Sequence, residues 1–403
     1  MSKQENSQKP SVEVADILKH HIIDYQKDYP LFPEHYKIVY DMLNCRTQYL
    51  GGHIEQCDQC GAERIMYNSC RNRHCPKCQH MPRQRWLEAR KKELLPTIYF
   101  HNVFTLPHEL NLLILFNKKV MLTILFKSVA ETLLAFGRNP KNGLGGKLGF
   151  IAVLHTWDQL LNDHFHLHCL IPGGAVSDDW SRWIPCKNDY LFNEEALSLV
   201  FRGKFIDRMR KAYESGKLHF PGKCASLKTP EGFKHLTDRL YLNRWVVYAK
   251  EPIKQGENVL EYVARYTHRV AISNHRLVSL KNGKVTFTYK NRKTDQIQKK
   301  TIEAVEFIRR FLLHQLPNGF VKIRHYGFLA NRDRKKNVAK ILQLHGLPKI
   351  ETGEQESVQE MMLALTGIDI SLCPCCGEGK MKIIEEIPQY TGLCANDIIR
   401  PPN

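Results

Sequence analysis

Three groups of side chains in this 403-residue sequence have the types and spacing to do chemistry. The first is Cys57-Asp-Gln-Cys60 followed, after fourteen further residues, by Cys75-Pro-Lys-Cys78. Two Cys-x-x-Cys pairs at that separation let four thiolates close tetrahedrally around zinc, each pair bending back on its own backbone. Cys57, Cys60, Cys75 and Cys78 are therefore the expected zinc ligands, with Cys70, His74 and His53 as surplus donors for a swapped ligand or a second ion. The surrounding segment has too few apolar residues to bury free thiols, so metal binding must supply much of its folding free energy. Arg71 and Arg73 belong to a set of basic residues around the cluster and are expected to grip DNA phosphates.

The second group is His164-Phe-His166-Leu-His168-Cys169. Side chains alternate along a strand, so the three histidines project from one face while Phe165, Leu167 and Cys169 pack behind them. Two imidazoles two residues apart can share one metal ion. His155 and Gln159 lie on the run that pairs with this strand, and either can complete such a site, with Asp158 and Asp163 as further oxygen donors. The third group is Glu261-Tyr262-Val-Ala-Arg265-Tyr266-Thr-His268-Arg269. On a helix Tyr262 and Tyr266 are one turn apart, as are Arg265 and Arg269. A phenol has a reference pKa of about 10, so its phenolate becomes a nucleophile toward a phosphodiester only where neighbouring cations or a metal favour it.

The elements that must position these groups follow from periodicity and turn residues. Apolar positions at helical spacing predict a helical lead-in over residues 12–43, core helices over 110–136, and helices over 87–95, 257–268 and 301–316. Strand composition predicts strands at 99–105, 149–154, 165–171 and 245–249, and Asn282-Gly283 predicts a tight hairpin between 276–280 and 285–289. Strands interspersed with helices and antiparallel hairpins give an α+β fold, a central antiparallel sheet with flanking helices, preceded by a small zinc-binding domain. The expected organisation is a helical lead-in and zinc-binding domain over residues 1–95, a catalytic domain over 96–340 and a C-terminal tail over 341–403.

Hydrophobic residues make up 43% and charged residues 25% of the chain, which excludes a disordered protein. Lys and Arg number 59 against 41 Asp and Glu, a formal net charge of +18, so a polyanion such as DNA is the expected partner. The polar start carries no secretory pattern. Residues 110–136 are interrupted by Lys118, Lys119, Lys127 and Glu131, short of the roughly 18 uninterrupted apolar residues a membrane helix needs. A cytoplasmic protein with no membrane partner is expected. Toward the C-terminus, Arg324-His-Tyr-Gly-Phe interleaves aromatics with basic residues that can stack bases. Cys373, Cys375 and Cys376 form half a zinc knuckle that lacks its complement.

The segments Cys70-Arg-Asn-Arg-His-Cys-Pro-Lys-Cys78, Val103-Phe-Thr-Leu-Pro-His-Glu-Leu110, Leu154-His-Thr-Trp157, His164-Phe-His-Leu-His-Cys-Leu-Ile-Pro-Gly-Gly174 and Glu261-Tyr-Val-Ala-Arg-Tyr266 recur in an order that resembles rolling-circle insertion-sequence transposases, the family numbered ninety-one. The likeness runs from about residue 30 to residue 340. It implies an HUH nuclease: a central antiparallel sheet with His-x-His on its middle strand, a divalent ion, Mg²⁺ or Mn²⁺, and cleavage of single-stranded DNA through a 5′-phosphotyrosine. By the same resemblance His166 and His168 are the metal-binding pair, and Tyr262 and Tyr266 the nucleophiles. Gln159 is taken as third ligand, and Arg265 and Arg269 as DNA contacts. Asp158 departs from the small residue expected at its position. A plasmid or phage replication initiator or relaxase would use the same constellation, and a non-catalytic zinc-dependent nucleic-acid binder would keep the same residues for structure alone.

Overall fold

The computed structural model describes residues 10–187, 190–254, 259, 270–291, 293–348 and 357–390. In chain order its elements begin with helices α1 (Val14–Asp28) and α2 (Pro33–Leu43), strands β1 (Gly52–Cys57) and β2 (Glu63–Tyr67), helix α3 (His80–Lys91), strand β3 (Tyr99–Thr105) and helices α4 (Asn111–Phe116) and α5 (Lys118–Arg138). Strands β4 (Gly149–Trp157), β5 (Asp163–Pro172), β6 (Gly174–Val176) and β7 (Trp183–Pro185) follow, then helices α6 (Glu194–Glu214) and α7 (Pro230–Leu242). The remainder comprises β8 (Val247–Ala249), β9 (Leu277–Lys281), β10 (Lys284–Lys290), β11 (Ile297–Glu303), α8 (Ala304–Leu313), β12 (Ile323–Gly327), α9 (Arg334–Leu344), α10 (Val358–Thr366) and β13 (Met381–Ile387).

The principal sheet has five antiparallel strands in the order β12-β4-β5-β3-β8, so β5 lies in the middle. Phe165, Leu167, Cys169 and Ile171 of β5 point to one face, where they join Leu125, Phe126 and Val129 of α5 and Phe201 and Phe205 of α6 in the main core. That leaves the even-numbered residues of β5 on the opposite face, as alternation requires. Among the described residues α5 is long and apolar enough to cross a membrane, but two-thirds of its apolar window, 67%, is buried in this core.

A second core joins the two halves of the sequence: Ile17 and Val39 of α1 and α2 pack with Phe287 of β10 and Phe307 and Phe311 of α8. Cys45, Cys75 and Cys78 belong to the same cluster, so the N-terminal region and residues 271–312 bury each other across the expected boundary at 95. A three-stranded sheet, β13-β1-β2, brings the C-terminal strand back against the N-terminal hairpin, with Gly52 opposite Ile387 and Cys57 opposite Met381.

The structure corrects two element boundaries. Residues 301–303 are the end of β11 rather than the start of a helix, because Thr301 and Ile302 pair with Thr286 and Val285 of β10 and their β-branched side chains suit the ladder. The helix expected over 87–95 instead spans His80–Lys91. The hairpin turn at Asn282-Gly283 has φ of 50° and 71°, the left-handed backbone its two residue types tolerate.

Candidate active site

On the core-averted face of the sheet, register assembles a group of imidazoles. His155 of β4 pairs directly with His166 of β5, and His168 sits between Val153 of β4 and Val103 of β3. One ring nitrogen from each of His155, His166 and His168 lies within 4.8 Å of the other two. His155 and His166 are only 4% and 5% exposed. Gln159, the expected third donor, lies in the turn beyond the paired register, and the imidazole opposite His166 is His155 instead. Pairing is what brings His155 close, because a residue across the ladder stands about 5 Å away, whereas one in the turn must reach back along the strand.

The tautomers are set by what each ring's other nitrogen touches. His166 Nδ1–H donates to the carbonyl of His164 at 2.8 Å, which leaves Nε2 unprotonated in the neutral ring. That nitrogen is 3.1 Å from His168 Nε2. His168 Nδ1 in turn is 2.8 Å from Nε2 of His101, and their rings stack at 5.0 Å. For His168 to offer Nε2 to a cation, its Nδ1–H must donate to His101. Burial holds His101 down at about 3, so it is neutral and able to accept. Burial, with His155, His166 and His101 beside it, likewise holds His168 well below the ordinary histidine value. His155 stacks on Trp157 at 5.2 Å, nearly parallel, which fixes the third ring. His164 and His108 extend the row, their centroids 5.9 Å apart. Sequence reasoning missed His101; its signal is its place on the same strand face as Val103, the direct partner of His168.

The turn carrying β4 into β5 is pinned by side chains from later in the chain. Arg276 donates to the carbonyl of Gln159 at 2.5 Å, Arg310 to Leu160 at 3.1 Å and to Asn162 Oδ1 at 2.9 Å, and His314 Nε2–H to Leu161 at 3.0 Å. Asp158 is spent inside the turn, accepting from the backbone N–H groups of Leu160 and Asn162, both at 2.8 Å.

The expected four-thiolate set does not come together. Cys75 and Cys78 converge instead with Cys45 and Cys70, and Cys57 and Cys60 converge with Cys373 and Cys376. In the first cluster the sulfur separations are 3.4 Å for Cys45–Cys78, 3.6 Å for Cys70–Cys78 and 3.7 Å for Cys45–Cys75. A zinc–sulfur bond of about 2.3 Å gives a tetrahedron with edges of about 3.8 Å, so the donor set fits that ion. His74 and His53 lie outside both clusters: half-buried His74 lines a cavity with Lys322 and His314, and His53 bonds Glu55 at 3.3 Å. Arg73 is also corrected. Its guanidinium donates to the carbonyls of Phe320, Leu316 and Pro317 at 2.5, 3.2 and 2.8 Å, so it ties the knuckle to the connection between α8 and β12 and its donors are engaged within the protein. Arg71 stays exposed. Tyr262, Tyr266, Arg265 and Arg269 lie outside the described residues.

Comparison with known proteins agrees with this layout. Residues 149–337 match the family described as "Putative transposase", and residues 17–106 match "Transposase zinc-binding domain". Over 385 residues the chain is 44% identical to the Sinorhizobium fredii protein named "Putative transposase y4qJ", covering 94% of this chain and 96% of that one. The chain belongs to the insertion-sequence transposases of the family numbered ninety-one. This transposase is also 26% identical over 339 residues to "Transposase for insertion sequence element IS801" of Pseudomonas savastanoi pv. phaseolicola, covering 83% and 80% of the two chains. No solved structure matches it. Its substrate is DNA, and its N-terminal domain holds structural zinc.

Proposed function

We propose that this transposase cuts and rejoins single-stranded DNA through a 5′-phosphotyrosine intermediate, in rolling-circle transposition within the bacterial cytoplasm at the nucleoid. The observation that carries the reading is the convergence of His166 and His168, on the middle strand β5 of an antiparallel sheet, with His155 of the neighbouring strand β4. Their donor set suits a divalent cation, read here as Mg²⁺ or Mn²⁺. When bound, that ion would draw negative charge from a phosphodiester oxygen and so make the phosphorus easier to attack. The protein's own groups do the rest. The Oη of Tyr262 or Tyr266 forms a bond to phosphorus, the bond to the 3′ oxygen breaks, and the phenolic proton ends on the departing 3′-hydroxyl. Arg265 and Arg269 supply positive charge to the phosphate. Keeping the broken bond's energy in the phosphotyrosine allows rejoining without ATP, and the second tyrosine permits another cleavage before the first link is resolved.

Val259 borders this face. It packs with Leu170 and Tyr99, and Leu170 follows His168 by two residues on the same face. The excess of cationic side chains suits a polyphosphate strand. Four thiolates from Cys45, Cys70, Cys75 and Cys78 would hold the structural zinc.

Incubation with a labelled single-stranded oligonucleotide of the element's end and Mn²⁺ or Mg²⁺ should trap a covalent protein–DNA adduct. The adduct should disappear in a Tyr262→Phe, Tyr266→Phe double variant. An adduct that survives both substitutions removes the tyrosine mechanism, and binding with no metal-dependent cleavage leaves only a DNA-binding role.

A further inference from the structure

The second thiol cluster joins the two ends of the chain. Cys57 ends β1 and Cys60 lies on the loop from β1 to β2, while Cys373 and Cys376 lie on the loop that leads into β13. Cys60 and Cys373 are 313 positions apart in sequence, yet their sulfurs stand 3.6 Å apart, and Cys57 and Cys376 are 3.7 Å apart. All four sulfurs lie within 4.8 Å of one another. Those separations are far beyond a disulfide bond of about 2.05 Å and match the edge of a zinc tetrathiolate.

The two loops are built alike. Each reads Cys-x-x-Cys-Gly, at 57–61 and 373–377, and each closes with its glycine in the left-handed region, φ 71° at Gly61 and 74° at Gly377. Gly61 N–H donates to the Cys57 carbonyl at 3.1 Å and Gly377 N–H to that of Cys373 at 2.9 Å. Backbone N–H groups also aim at sulfur, from Cys60 to Cys57 Sγ at 3.5 Å, from Cys375 to Cys373 Sγ at 3.3 Å and from Gly379 to Cys376 Sγ at 3.3 Å. Such donors favour the thiolate over the thiol. A Cβ on Gly379 would stand 2.3 Å from Cys57 Sγ, so that position must remain glycine for the loops to meet. Cys57 and Cys373 are buried while Cys60 and Cys376 are exposed, so burial covers only half of the cluster.

We propose that Cys57, Cys60, Cys373 and Cys376 form a second zinc site, which clasps β13 onto β1 and closes the three-stranded sheet from opposite ends of the chain. Polar contacts guide the docking. Asp58 Oδ1 accepts from the Lys380 N–H at 2.8 Å, Asp58 N–H donates to the Lys380 carbonyl at 3.1 Å, and Lys382 pairs with the same carboxylate at 3.2 Å. Arg64 reaches across to the Ile370 carbonyl at 3.1 Å. The clasp can close only after residues 373–376 have been synthesised, so the N-terminal half-site waits for the rest of the chain.

Zinc per chain is to be measured by elemental mass spectrometry on full-length protein carrying His166→Ala and His168→Ala, so that the imidazoles add none. The two thiol clusters predict two zinc ions per chain in this background. Adding Cys373→Ser and Cys376→Ser should leave one, as should Cys60→Ser with Cys373→Ser, whereas Cys60→Ser with Cys75→Ser should leave none. One zinc in the starting protein, or no loss on removing Cys373 and Cys376, overturns the proposal. Hydrogen exchange on the unsubstituted protein during graded chelation guards against misfolded variants. Residues 52–57 and 381–387 should lose protection together as zinc is released, and persistent protection of 381–387 after all zinc is gone overturns it as well.

Discussion

The histidine centre and the cysteine clusters are both metal-binding arrangements, but they are assembled by different rules. His155, His166 and His168 come from neighbouring strands, and the ladder that makes the sheet also fixes the distances between their rings. Apart from Cys57, which ends β1 opposite Met381, the thiols sit outside the strands, where no ladder dictates which pair meets which. The two Cys-x-x-Cys pairs nearest in sequence therefore part: one closes with Cys45 and Cys70, the other with Cys373 and Cys376. A strand motif specifies its site, whereas a knuckle specifies only half of one.

The sharpest test of that contrast is Cys75→Ser. Cys75 is 2% exposed and belongs to the core shared by α1, α2 and α8, so loss of zinc there removes a support for that core. Structural zinc binding is worth about 10–16 kcal/mol in small domains, comparable to the whole stability of a typical protein. The variant should lose zinc and most of its soluble yield, measured by metal content and thermal unfolding. A folded, fully stable Cys75→Ser protein would mean that packing alone holds this region.

The next largest effect separates chemistry from stability. Replacing His166 and His168 by alanine should lower metal-dependent cleavage about a thousand-fold, the equivalent of roughly 4 kcal/mol of charge stabilisation, while leaving the thiolate-bound zinc and the melting temperature near those of the parent. Cleavage retained within tenfold would show that these imidazoles do not serve the reaction. His101→Phe should act more gently. It removes the acceptor that orients His168, so the metal concentration for half-maximal cleavage should rise about 10- to 100-fold, with the rate at saturating metal little changed. A fall in the saturated rate with unchanged metal dependence would contradict a positioning role.

The smallest effect concerns the turn beneath the site. Arg309 and Arg310 bond Glu306 and hold its carboxyl at about 2, below its ordinary 4.5, and Arg310 also grips Leu160 and Asn162. A depressed carboxyl contributes stability above its unfolded value and loses it as pH falls through the folded one. Melting temperature should therefore decline between about pH 4.5 and pH 2, and Glu306→Gln should flatten that decline. Identical pH profiles for parent and variant would show that the pair contributes nothing measurable.

Much of the fold was written in local pattern. Strand alternation puts Phe165, Leu167 and Cys169 in the core and the histidines opposite, and the turn preference of Asn282-Gly283 marks the hairpin, because both depend on residues close in sequence. Arg73 was legible only as a charge. That its guanidinium holds carbonyls at 316–320 depends on a segment more than two hundred positions away.

By itself the sequence determined the row of imidazoles, the knuckle halves and the cationic balance, since period, spacing and composition are properties of neighbouring residues. Only the tertiary structure decided that His155 stands directly across the ladder from His166, that His101 meets His168 at 2.8 Å, and that the last strand returns to complete the first. The reason is geometric: a metal site is a meeting of atoms in space. Where strand pairing does not force that meeting, the path of the whole chain selects the partners.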